Sequence, residues 1–222
     1  QNNGAKEIEY LPNGADLKLF KYFPLPDESK GFTFERPFKI VYSGAHGKVN
    51  DLETIIKTAD LLEKYHINFY LIGDGPEKLR IKELSLNLKN VFFDNSISKK
   101  KMPKYLANCD AIIITLLGLD LFRYGVSPNK LYDAYAIGRP VITNIPGIVN
   151  DEVEYYGLGV TSPPENPHLL ANKIKKLYFK SRIDRELMSR SARVVAEKFY
   201  SREKISNEYI NVIENYTLNK TP

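Results

Sequence analysis

Cysteine occurs once in the 222 residues, at Cys109, which rules out an internal disulfide and suits a reducing compartment. It stands just before the apolar run Ala111-Ile112-Ile113-Ile114 and reads as a packing residue. Histidine is almost as scarce: His46, His66 and His168 are scattered, so no metal-ligand spacing arises and no metal is expected. No apolar run approaches the roughly 20 residues of a membrane span, and no signal-peptide pattern is present. There is neither a GxGxxG fingerprint with an acid closing the second strand nor a GxxxxGK[ST] loop. Both absences argue against NAD-dependent dehydrogenases and P-loop ATPases. Basic residues do not alternate with aromatics as they do in single-strand binders, so nucleic acid is not an expected partner. Charge of neither sign dominates: 32 Lys and Arg against 27 Asp and Glu leave +5. The densest basic patch, Lys99-Lys100-Lys101 with Lys104, reads as a solvated helix start, with acidic lipid headgroups or nucleic acid as the other reading of that patch alone.

What is present is an ordinary globular composition, 43% hydrophobic and 27% charged, long enough for one large domain or two small ones. The chain opens Gln1-Asn2-Asn3-Gly4 without an initiator methionine and is expected to be a piece of a longer protein. Residues 1–35 read as an irregular connector. Within it, Ile8-Glu9-Tyr10-Leu11-Pro12 is a candidate short strand and Asn13-Gly14-Ala15-Asp16 a turn. Pro24, Pro26, Gly31 and Pro37 discourage helix and central strand.

From Phe38 the pattern is regular. Apolar runs predict strands at 38–43, 67–72, 91–93, 111–115, 141–143 and 159–161. Helical periodicity fills the gaps at 52–62, 77–86, 98–108 and 151–156, and returns at 167–179, 183–199 and 202–216. In the last helix Ile205, Tyr209, Val212, Ile213 and Tyr216 make an apolar stripe. Strands alternating with helices at this spacing predict an α/β fold, a doubly wound, Rossmann-like parallel sheet of about six strands with extra C-terminal helices. Ligands in such sheets bind beyond the carboxyl ends of the strands, here the loops 44–48, 73–75, 94–97, 116–126 and 144–149.

The most informative stretch is 127–142, which reads as loop, helix, turn and buried strand. Ser127 is a candidate N-cap, Pro128 suits the first helical position, and Gly138 suits the left-handed residue that ends a helix. At ~100° per residue Leu131, Ala134, Tyr135 and Gly138 share the face toward the sheet. Asn129 and Asp133 fall on the other side with Lys130 flanking them. A lysine and a carboxylate at the positive end of a helix suit a phosphate and a ribose. An ordinary capped helix with a solvated face is the alternative.

In order, these pieces resemble the C-terminal half of a GT-B-fold retaining glycosyltransferase of family four, also called group 1. Asn13-Gly14-Ala15-Asp16 with Phe20 resembles the hinge pattern NG-x-D-x-x-x-F. Ile72-Gly73-Asp74-Gly75-Pro76 resembles the G-x-G turn after the second strand, and Asn108-Cys109-Asp110-Ala111 the lead into the fourth. Val91 to Ile97 resembles the segment around the nucleobase, with Asn95 where glycine is usual. Ser127-Pro128-Asn129-Lys130-Leu131-Tyr132-Asp133-Ala134-Tyr135-Ala136-Ile137-Gly138-Arg139-Pro140-Val141-Ile142 is similar to the SPSKLFEYMAAGKPVI form of the signature helix, found in capsule and O-antigen amino-sugar transferases.

The resemblance implies a connector or hinge at 1–35 and a nucleotide-sugar-binding domain at 36–200. It also implies a terminal helix at 201–222 that packs on an N-terminal domain preceding this chain. It implies a UDP-linked donor without cofactor or metal, and a lipid-linked or glycan acceptor held by that other domain. A cytoplasmic location follows, with peripheral contact at the inner face of the cell membrane. By position, Asp133 takes the ribose, standing where the family has the second Glu of its Glu–seven residues–Glu motif. The first Glu falls at Gly125 and is missing, which puts catalysis in doubt. Lys130, with the amides of Asn129 and Leu131, takes the diphosphate and is the candidate catalytic group. Gly47 and Lys48 stand nearest to the family's basic pair after the first strand. Asn95 and Ile97 border the base, and His46, Asp120 and Arg123 are candidate sugar contacts. A GT-B sugar-nucleotide epimerase and a non-catalytic binding half remain as alternatives.

Overall fold

Six short apolar runs form strands: β1 (Phe38–Ser43), β2 (Ile67–Ile72), β3 (Val91–Asp94), β4 (Ala111–Ile114), β5 (Val141–Thr143) and β6 (Gly159–Thr161). The structure, a computed structural model, describes residues 9–26 and 36–218. All strands pair in parallel, in the order β3-β2-β1-β4-β5-β6. The order reverses between β1 and β4, where Val41 lies opposite Ile112. A ligand crevice is expected beyond that junction.

Side-chain alternation divides the core into two layers. Phe38, Ile40 and Tyr42 of β1 join α1 (Leu52–Leu61), α2 (Lys78–Leu84) and α6 (Pro167–Tyr178) on one face. Val41 faces the other layer, built from α3 (Met102–Leu106), α4 (Asn129–Ile137), α5 (Ile148–Tyr155) and α7 (Arg182–Phe199). Central β4 serves both, Ala111 and Ile113 on one side and Ile112 and Ile114 on the other, hence its unbroken apolar run. Cys109 is buried beside it; its thiol donates to the Leu106 carbonyl, and burial pushes its pKa up to about 12.

The connector is irregular but packed, with Phe20 fully buried. Residues 9–13 form no strand; Ala15 alone makes a parallel bridge, with Ser201. Ile8, Gly31 and the opening Gln1–Gly4 lie outside the described residues. The Arg139 guanidinium donates to the carbonyls of Leu106, Phe23, Gly138, Pro24 and Ala107, tying the connector to α3 and α4. The last helix, α8 (Arg202–Leu218), buries Ile205 against Gly14, and its Tyr209 hydroxyl donates to the Leu11 carbonyl. Ile210 and Ile213 stay exposed. The Tyr216 side chain lies outside the described residues.

The predicted helix at 98–108 is shorter than its periodicity suggests. Residues 99–101 form a turn, and only Met102–Leu106 are helical. Ser127 is not the N-cap. Pro128 takes that position in extended geometry, and the Ser127 hydroxyl instead accepts from the Asn13 amide and bonds the Tyr132 hydroxyl. A partner 114 residues away outcompetes the local cap.

Candidate functional site

The crevice at the β1–β4 junction is closed by the start of α4. Leu131, Tyr132, Ala134, Tyr135, Ala136 and Ile137 are all buried, wedging the helix between the sheet and α7. Gly138 ends it at φ 73, where a side chain would also strike the Tyr22 ring. This packing leaves only Asn129, Lys130 and Asp133 free to face the crevice.

Lys130 reaches back to β1. Its Nζ lies 3.0 Å from the Tyr42 hydroxyl, 3.3 Å from the Asn50 carboxamide oxygen and 4.3 Å above the Tyr42 ring. A Cβ at Gly44 would stand 2.9 Å from that nitrogen. No carboxylate pairs with Lys130 among the described residues. Burial pulls its pKa down from 10.5 to about 8. Helix geometry leaves the first-turn amides of Asn129 and Lys130 without intrahelical acceptors, so the cation and the helix dipole act together.

One turn further, Asp133 faces Lys99 at 3.5 Å with its side chain 13% exposed. Its other oxygen, Oδ1, is buried without a hydrogen-bond partner. Burial raises the Asp133 pKa, with Lys99 opposing. A buried acceptor without a donor is costly, and a ligand hydroxyl would satisfy it.

The neighbouring loops are held by glycines. A Cβ on Gly73 (φ +154) would overlap the Gly44 carbonyl, and one on Gly75 (φ +153) would come within 2.6 Å of the His46 carbonyl oxygen. The loops after β1 and β2 thus touch backbone to backbone. His46, expected at the sugar, is fully buried beneath them near Tyr42 and Phe93, with both ring nitrogens unpartnered. Burial and Lys78 lower its pKa. It presents no surface to a ligand in this arrangement.

The remaining candidates divide. The Asn95 carboxamide oxygen accepts from Lys78, whose ammonium also holds the carbonyls of Gly73 and Asp94, which fixes this exposed side chain beside the crevice. Ile97 is half-buried against the α3–α4 core, next to the turn that carries Lys99. The Leu131 amide donates to the Pro128 carbonyl and is not open to a phosphate. Gly47 and Lys48 begin a 3₁₀ turn, Lys48–Asn50, and line a cavity of about 320 Å³ between α1 and α2; Asn50, not Lys48, touches Lys130. Asp120 and Arg123 pair with each other at 3.9 Å, with side chains 90% and 66% exposed, and point into solvent. Gly125 sits at φ +143 with open space around it.

Tyr42, Gly44, Asn50 and Lys99 are the partners that sequence reasoning missed. Only Gly44, closing the first strand, carries a local signal. Among the described residues no group of three His, Cys, Asp or Glu is placed to hold a metal ion, and no helix is long and apolar enough to cross a membrane.

A parallel sheet with its crevice at the strand-order switch, closed by a helix start bearing a half-buried lysine and a carboxylate, defines a Rossmann-like α/β domain. Residues 26–195 match the glycosyl transferases group 1 family, and the chain belongs to it. A relative in Escherichia coli (strain K12), WcaI, bears the name of a colanic acid biosynthesis glycosyl transferase. It is 23% identical over 94% of this chain and 52% of its own length. Two solved structures share the fold. Sucrose-phosphate synthase from Thermosynechococcus elongatus matches with a TM-score of 0.76 at 18% identity, over 97% of this chain and 54% of that one. Anabaena HepE in complex with UDP-glucose matches with a TM-score of 0.72 at 17% identity, over 91% and 56%. The chain therefore spans about half the length of these relatives.

Proposed function

We propose that the chain is the donor-binding half of a retaining glycosyltransferase in cell-surface polysaccharide synthesis, using a UDP-linked sugar and no metal. The observation that carries this is Lys130, a half-buried cation with no carboxylate partner among the described residues, set at the positive end of α4. A diphosphate supplies the missing anion. As the sugar leaves, charge builds on the terminal phosphate, and a fixed cation and helix dipole stabilise it without reorganising. Asp133 Oδ1 accepts from a ribose hydroxyl, and the base lies along Ile97, with Asn95 held in place by Lys78. HepE was solved with UDP-glucose and WcaI is named for colanic acid biosynthesis, and both support the choice of donor and process. A lipid-linked or glycan acceptor, a cytoplasmic location and contact with the inner face of the membrane belong to the same reading of the whole protein.

Titrating the chain with UDP, followed by amide NMR, is expected to shift residues 44–50, 97–99 and 127–133. Lys130→Ala and Asp133→Ala should each weaken binding about tenfold or more. UDP that leaves those resonances unmoved sinks the proposal. One observation favours a second reading, binding without transfer. Gly125 replaces the motif carboxylate, and its φ of +143 is one that L side chains rarely adopt. Turnover by the complete enzyme separates the two.

A further inference from the structure

A groove of about 690 Å³ opens between the β1–β2–β3 face of the sheet and α3. It exists because α3 is only five residues long and leaves the outer strands partly bare. Four lysines line it: Lys39 from β1, and Lys100, Lys101 and Lys104 from α3 and the turn before it. Asp94 is the one carboxylate among the lining residues, and none of the four lysines forms an ion pair among the described residues. The floor is aromatic. Tyr70 stacks on Phe92 with ring centroids 5.0 Å apart, and Lys39 sits 5.8 Å from the Tyr70 ring. Of the two lining tyrosines, Tyr105 is 46% exposed, ring surface left beside uncompensated cations, and Phe92, stacked on Tyr70 outside the lining, is 41% exposed.

We infer that this groove binds an acidic oligosaccharide, a carboxylate- or phosphate-bearing glycan segment, at a site separate from the donor crevice. The inference rests on the reading that this chain serves a glycan-building enzyme. The cations take the anionic groups, and the flat ring faces take the apolar faces of the sugars. Its volume lies in the range of small-ligand sites, and its concave shape suits a chain better than a lipid headgroup plane. The turn before α3 separates the two sites: Lys99 points to Asp133, and its neighbours Lys100 and Lys101 point into the groove.

The test titrates the 222-residue chain with hexagalacturonate, and in parallel with neutral maltohexaose, while amide and ring resonances are followed by NMR. Hexagalacturonate should shift Tyr70 and Tyr105, and more weakly as salt rises. The triple variant Lys100→Ser/Lys101→Ser/Lys104→Ser should bind about tenfold more weakly and titrate with UDP as before. Equal binding of maltohexaose, or groove resonances that do not move, overturns the inference. So does preferential binding of phosphatidylglycerol vesicles or of an oligodeoxythymidylate that hexagalacturonate cannot displace. A chain that binds UDP but not the acidic glycan fails this inference alone, and one that binds the glycan but not UDP fails the donor reading alone.

Discussion

Lys130 keeps its amine in surroundings that favour the neutral form, because the start of α4 packs it over Tyr42 and partly out of water. The sign of the consequence follows from its lowered pKa. In the unfolded chain this lysine titrates near 10.5, and in the folded chain near 8. Its destabilisation is therefore fully present below pH 8 and fades as pH rises from 8 toward 10.5. Lys130→Met should accordingly raise stability at pH 7 by about 1–2 kcal/mol in urea titrations, with the gain shrinking above pH 9. Binding runs the other way. UDP affinity should fall as pH rises through about 8, by up to about tenfold per unit, and this dependence should vanish in Lys130→Met. A flat profile for the unsubstituted chain would remove Lys130 from the diphosphate. Lys130 and Asp133 were legible in sequence because helical periodicity alone places them on the side of α4 away from its apolar face. His46 was not. Its burial depends on Gly73 and Gly75 allowing a second loop to close over it.

The strands are short apolar runs bounded by Gly, Asn or Asp, so period and punctuation mark them closely. Helix ends were less legible, because their caps are tertiary. Ser127 has the chemistry of an N-cap, yet the connector claims its hydroxyl. Arg139 shows the same in reverse. In sequence it is a polar residue in a turn; in the fold it is fully buried and satisfies five carbonyls from three segments. Arg139→Ala would strand those carbonyls without solvent, and should cost about 3–5 kcal/mol in chemical denaturation. A loss below about 1 kcal/mol would mean that the connector is held mainly by Phe20 and Leu25, both buried.

The whole chain spans about half the length of its relatives, and its crevice opens at one edge of a single sheet. On the proposed reading the 222-residue chain is expected to bind UDP yet to transfer no sugar, because water exclusion and acceptor placement would come from the rest of the enzyme. Product analysis with a UDP-sugar and a glycan acceptor checks this, and measurable transfer by the chain alone contradicts it.

Sequence by itself determined the strand–helix alternation, and with it the parallel sheet and the edge at which a crevice opens. Those features rest on local periodicity and on the fixed hand of the crossovers. It also determined which helix start carries a cation and a carboxylate. Only the tertiary structure decided what each of these touches. It brought Lys130 onto Tyr42, 88 residues away, and left an oxygen of Asp133 without a donor. It turned Asp120 and Arg123 outward and withdrew His46 from the surface. Such pairings depend on which loops pack together, and local pattern carries no information about partners so distant along the chain.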